Sequence, residues 1–180
     1  KGDLTTLDAS LREIADTGAD ACEIGIYGEE IVSGGRIIED RLQRVASIAG
    51  QYPFKRLSLH GQISSNFMDR EHLVLQKQVV RAMLEMCNRL GAGILVHHSG
   101  AAQLGAGENG ADLDQMEREA LSEMADVAKG YGVRIALENK GKKPSPTSLE
   151  REFNLRWRGN PVSVHATRKW LMGLSVPTMD

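Results

Sequence analysis

The stretch Leu90-Gly91-Ala92-Gly93-Ile94-Leu95-Val96-His97-His98-Ser99-Gly100 reads as a helix end, a buried strand and the loop that leaves it. Before it, Leu73, Val80, Met83, Leu84, Cys87 and Leu90 recur at helical spacing, and Asp69 is placed to cap that helix. Gly91 stops the helix because glycine takes the left-handed conformation without steric cost. Ile94 to His98 is short and mostly apolar, as a parallel strand covered on both faces should be.

The same unit returns on both sides. Leu7, Leu11, Ile14 and Ala15 make a helix face that ends at Gly18, and Ala21 to Ile26 follows as a strand. Ile38, Leu42, Val45 and Ala49 make the next face, ending at Gly50 before the strand Leu57 to His60. Downstream, Asp112 or Asp114 can cap a helix carrying Met116, Ala120, Leu121, Met124 and Val127; Gly130 and Gly132 end it, and Val133 to Glu138 is the fourth strand. Strands alternating with helices predict right-handed βαβ units around one parallel sheet, an α/β fold of the (β/α) barrel type.

An ionisable residue stands where each strand run stops. His98 follows His60 by 38 residues and Glu138 follows His98 by 40; a further 42 reach Asp180, and Glu23 precedes His60 by 37. The cadence is one βα unit, so Glu23, His60, His98, Glu138 and Asp180 are expected at the same end of the sheet, where active sites of parallel α/β proteins lie. A lone strand-end histidine is more often a hydrogen-bonded structural residue, but a carboxylate closing an apolar strand is costly unless it has a partner. His97 and His98 point to opposite sides of their strand, so one alone can face the shared rim. We assign His98, which opens directly onto Ser99-Gly100, with His97 as the alternative. Imidazole nitrogen and carboxylate oxygen together suit Zn²⁺ or Mn²⁺; Mg²⁺ prefers oxygen alone.

Composition narrows the rest. The chain has 180 residues, 41% hydrophobic and 26% charged, with a net charge of -2. That is enough for one domain with a core, and it carries no global basic footprint for nucleic acid. Cys22 and Cys87 belong to no CxxC pair, and no run approaches the roughly 20 apolar residues that span a bilayer, so a cytoplasmic protein is expected. The methionines on the helices read as core packing. The glycines from Gly105 to Gly110 do not form a G-x-G-x-x-G turn and read as a connection. Residues 140–173 form an irregular segment with Pro144, Pro146 and Pro161. Eight basic residues stand against two acidic ones from Lys140 to Lys169.

Four motifs carry a family likeness. They are Leu57-Ser58-Leu59-His60-Gly61 with Asn66-Phe67-Met68-Asp69, Val96-His97-His98-Ser99-Gly100, Ala136-Leu137-Glu138-Asn139, and Thr178-Met179-Asp180. The sequence resembles the xylose isomerase-like TIM-barrel superfamily, which holds sugar and sugar-phosphate isomerases and epimerases and the endonuclease IV type of abasic-site nuclease. The likeness covers about residues 5 to 139, with Ser99 where the family usually has proline. It implies an incomplete barrel, about strands 2 to 6 of eight, and hence a fragment of a longer chain, as a single partial domain over 1–180.

The resemblance also implies a divalent metal (Mn, Zn, Co or Mg) held by Glu138 and Asp180, with Glu138 also moving a proton beside a carbonyl. His60, His98, Asn139 and Glu23 are then expected to contact a small carbohydrate. The activity implied is a sugar or sugar-phosphate isomerase or epimerase working through a metal-stabilised enediolate. The alternative is a zinc-dependent abasic-site phosphodiesterase, in which His60 and His98 are metal ligands beside Glu138 and the partner is nucleic acid. A non-catalytic truncated barrel is the third reading. A homo-oligomer is compatible with each.

Overall fold

A computed structural model of the chain describes residues 4–25, 31–62, 64–100, 110–138 and 162–165. Its elements run α1 (Leu4–Asp16), β1 (Ala21–Gly25), β2 (Val32–Ser33), β3 (Arg36–Ile37), α2 (Glu39–Ala49), β4 (Arg56–His60), α3 (Leu73–Leu90), β5 (Ala92–His98), α4 (Gly110–Tyr131), β6 (Arg134–Glu138) and β7 (Val162–His165). Five strands form one sheet in the order β1-β4-β5-β6-β7, and every neighbouring pair is parallel. Each main strand therefore lies beside the one before it, the succession of a (β/α) barrel wall.

The sheet has two chemically different faces. Cys22 and Ile24 of β1, Leu59 of β4, Leu95 of β5, and Ile135 and Leu137 of β6 join one buried cluster with Val45, Met83, Leu84, Met86, Cys87, Leu121 and Met124 of the helices. Burying each large apolar side chain in that layer stabilises by roughly 1.5–3 kcal/mol. Because side chains alternate along a strand, Glu23, Ser58, His60, Val96, His98, Ala136 and Glu138 fall on the opposite face. The helix layer is also joined at its surface: Lys77 Nζ on α3 lies 2.5 Å from Glu123 Oε2 on α4, and Arg89 on α3 forks onto Glu39 on α2. Tyr52 donates to Asp8 Oδ1 at 2.5 Å, tying α1 to the loop after α2.

Several expectations need correction. Gly18, Gly91 and Gly132 have positive φ as expected, but Gly50 caps α2 at φ -67, in the right-handed region. Its amide donates to Ala46 O at 2.9 Å, so this helix ends by simple continuation of its last turn. Asp69 is not the cap of α3, because residues 70–72 intervene; it instead accepts the His72 amide at 3.1 Å and shapes the incoming loop. The helix α4 starts at Gly110, ahead of both proposed caps, and Asp112 sits in its first turn, where its charge suits the helix dipole. Its buried stripe is Leu113, Glu117, Ala120, Leu121, Met124, Ala125 and Ala128, with Met116 and Val127 only partly buried.

Two elements were not foreseen. The hairpin β2–β3 turns on Gly34-Gly35, both with positive φ, a two-residue turn that favours glycine at each position. Strand β7 lies inside the segment expected to be irregular. The remainder of 140–173, together with Asn139 and Asp180, lies outside the described residues. Among the described residues no helix is long and apolar enough to cross a membrane.

Candidate metal centre

Three strand ends converge on the inner face. In parallel pairing, His98 stands in register with Glu138, and β4 runs beside β5 so that its last residue, His60, reaches the same rim. His60 Nε2 lies 3.4 Å and His98 Nε2 3.2 Å from the same oxygen, Glu138 Oε2. The two imidazole rings are 4.8 Å apart between centroids, tilted by 56°. One ligand atom from each of the three residues can be chosen so that all lie within 4.8 Å of one another. The side chains are 12%, 7% and 22% exposed for His60, His98 and Glu138, so the cluster is largely desolvated.

The donor set fits a divalent cation. His60 Nδ1 is 3.2 Å from the Gly61 carbonyl, which can only accept, so Nδ1 carries the hydrogen. In the neutral ring this leaves the Nε2 lone pair on the atom that approaches Glu138 Oε2, the orienting arrangement common around imidazole ligands. Ligands of a tetrahedral zinc at about 2.0–2.1 Å stand about 3.3 Å from one another. The separations of 3.2 and 3.4 Å from the carboxylate oxygen match that edge. A lone pair and a carboxylate oxygen at such a distance repel unless a proton or a cation lies between them.

The other expected residues separate. Glu23 does not reach the rim: β1 continues to Gly25, and it is Gly25 that pairs with His60. Glu23 pairs with Ser58, two residues and about 6.6 Å below the strand ends. There it accepts the Ser58 hydroxyl at 3.1 Å, an arrangement within the barrel wall. His97 lies on the helix side, 1% exposed, its ring 4.7 Å from that of Phe67. Asn66 builds the loop before α3, accepting the Met68 amide on Oδ1 at 2.9 Å.

Residues outside the expected set stand beside these strand ends. Ser99 donates its amide to the Glu138 carbonyl at 3.1 Å, and its hydroxyl lies 3.1 Å from Glu117 Oε2. Glu117 is fully buried, and burial pushes its carboxyl up, opposed by the Gly100 amide and the Ser99 hydroxyl. An acidic residue inside the apolar stripe of α4 was the sequence signal for it. His165 on β7 stands in register with Glu138. Its position lacked any such signal, because β7 itself is not marked by periodicity.

The sequence profile of the family described as Xylose isomerase-like TIM barrel matches residues 11–153. The chain belongs to that family. Comparison with curated protein sequences finds no match. Among solved structures, a D-tagatose 3-epimerase-like protein is 21% identical with a TM-score of 0.60, covering 76% of this chain and 50% of its own. D-psicose 3-epimerase, solved in the presence of D-fructose, is 14% identical with a TM-score of 0.65, covering 88% and 56%. A Thermus thermophilus protein soaked with ZnCl2 is 21% identical with a TM-score of 0.65, covering 89% and 62%. These likenesses establish the xylose isomerase-like barrel fold. This family member spans between 50% and 62% of the length of those structures.

Proposed function

We propose that the chain forms the metal-holding part of a divalent-metal-dependent sugar or sugar-phosphate isomerase or epimerase. The observation that carries the proposal is the approach of two histidine Nε2 atoms to one Glu138 oxygen, at 3.4 and 3.2 Å. In this reading His60, His98 and Glu138 hold the cation, and Asp180 adds a further carboxylate. Bound there, a divalent cation supplies Lewis-acid polarisation of a substrate oxygen. Glu138 takes the proton from the carbon beside the substrate carbonyl as the C–H electron pair passes to the carbonyl oxygen, and a proton is then returned to carbon to complete the isomerisation. The Gly61 carbonyl keeps the His60 ring in one tautomer, and the low exposure of the three side chains limits competing water. Asn139, next in sequence to Glu138, is assigned to substrate binding, and a small carbohydrate is the partner.

The second reading is a zinc-dependent phosphodiesterase of abasic sites. It draws on the same separations, with His60 and His98 as metal ligands beside Glu138. One experiment weighs both. The chain is loaded with Mn²⁺ or Zn²⁺ and incubated with a ketohexose in D₂O, and separately with a DNA duplex containing an abasic site. Deuterium entering the carbon next to the carbonyl, dependent on the metal, supports the isomerase reading. Strand cleavage without exchange supports the phosphodiesterase. A chain that binds neither metal overturns both and leaves the non-catalytic barrel.

A further inference from the structure

A fully buried carboxylate, that of Glu117, lies outside the three-residue cluster. It occupies a position in the apolar stripe of α4 where a leucine would pack without any charge to bury. Burying an ionisable group costs free energy even when it is hydrogen-bonded, so helix packing does not account for it. Its partners do. Glu117 Oε1 accepts the Gly100 amide at 2.5 Å and Oε2 accepts the Ser99 hydroxyl at 3.1 Å. Both donors are in the loop that leaves His98. Ser99 in turn donates its own amide to the backbone carbonyl of Glu138 at 3.1 Å. A single carboxylate on α4 thus closes a path of hydrogen bonds and covalent bonds that includes two members of the cluster.

Gly100 is closely packed where a side chain would project. A Cβ added at Gly100 would collide with Asn66 Oδ1, approach Met68 Cγ to 2.9 Å and lie 3.2 Å from Glu117 Oε1. The backbone of Gly100 is therefore pressed between the loop after β4 and the side chain of α4. We infer that Glu117 is a positioning residue: by clasping Ser99 and Gly100 it fixes how His98 and Glu138 face each other. It touches neither substrate nor cation. The inference rests on the metal centre proposed above.

The test uses the full chain and Zn²⁺ alone, in the parent and in Glu117→Ala, Glu117→Gln and Leu121→Ala. Partners that hold metal ligands in place typically contribute about 10–100-fold to affinity, so Glu117→Ala is expected to weaken zinc binding about tenfold or more. Glu117→Gln keeps an oxygen for the Gly100 amide and an N–H for the Ser99 oxygen. It is expected to bind within about threefold of the parent, inside that range. Leu121→Ala opens a cavity in the same helix without touching the clasp, and its folded fraction is expected to bind like the parent. An affinity for Glu117→Ala equal to the parent's overturns the inference. So does a Glu117→Gln protein no better than Glu117→Ala, or a Leu121→Ala protein just as weak.

A metal-free readout separates this inference from the metal centre itself. In Glu117→Ala the Gly100 amide is expected to exchange faster with solvent, and the imidazole ¹⁵N signal of His98 to move. If the parent binds no zinc, the metal centre fails. The positioning role is then decided by those signals, and unchanged His98 resonances in Glu117→Ala overturn it.

Discussion

The two faces of one sheet follow different rules. Toward the helices, Leu59, Leu95 and Leu137 occupy the penultimate or inner positions of three successive strands, and each is fully buried or nearly so. Toward the barrel interior, one step along each of β4 and β6 and at the end of β5, stand His60, Glu138 and His98. The outer face is governed by apolar area removed from water, which is non-directional and tolerant of shape-conserving change. The inner rim is governed by distances of a few ångströms between ionisable atoms, which tolerate very little. Adjacent His97 and His98 put the same side chain under both rules: one packs on Phe67, the other faces Glu138.

Substitutions on each face should separate stability from metal binding. The largest expected effect is on the outer face. Leu95→Ala should lower unfolding free energy by about 2–5 kcal/mol in denaturant titration. Zinc affinity of its folded fraction should stay as in the parent. Glu138→Gln should do the reverse, weakening zinc binding by at least ~100-fold in calorimetric titration, the upper end of what a lost orienting partner costs. Its stability should change little.

The histidine pair sharpens the contrast further. His97→Phe keeps an aromatic ring against Phe67 and is expected to change stability by less than about 1.5 kcal/mol, with zinc binding intact. His98→Phe should abolish zinc binding. Equal loss in both variants would break the assignment of the two faces.

The smallest expected effect is a slope. Burial raises the Glu117 carboxyl from the ordinary carboxylate range, opposed by the Gly100 amide and the Ser99 hydroxyl, with Asp114 adding to the rise and Arg118 to the opposition. Below that range the group is protonated in both folded and unfolded chains, and its contribution is whole. As pH rises from there toward the elevated folded value, the folded chain holds a proton that the unfolded chain has released. Stability therefore falls across that window. Glu117→Gln should flatten this part of a pH-dependent thermal-denaturation series while leaving the rest of the curve in place.

The helix-glycine-strand cadence made the fold legible because it is local. Helical spacing from Leu73 to Leu90, the stop at Gly91 and the apolar run to His98 each depend on neighbours within a few residues. The three rim residues were legible for the same reason, since a polar residue ending an apolar strand is a local contrast. Glu23 misled because the count of residues back from His60 falls on the middle of its strand, which runs on to Gly25. Strand β7 was hidden because four residues among prolines and basic side chains carry too short a period to read.

By itself, the sequence determined the succession of parallel βα units and that His60, His98 and Glu138 close three successive strands. Only the tertiary structure decided that His98 rather than His97 joins His60 and Glu138, that Glu23 stays a layer below with Ser58, and that Glu117 reaches Ser99 and Gly100. Each of those outcomes depends on register between strands or on a helix meeting a loop 17 to 40 residues away in the chain. Chain periodicity fixes which side of an element a residue occupies, whereas packing fixes what stands opposite it.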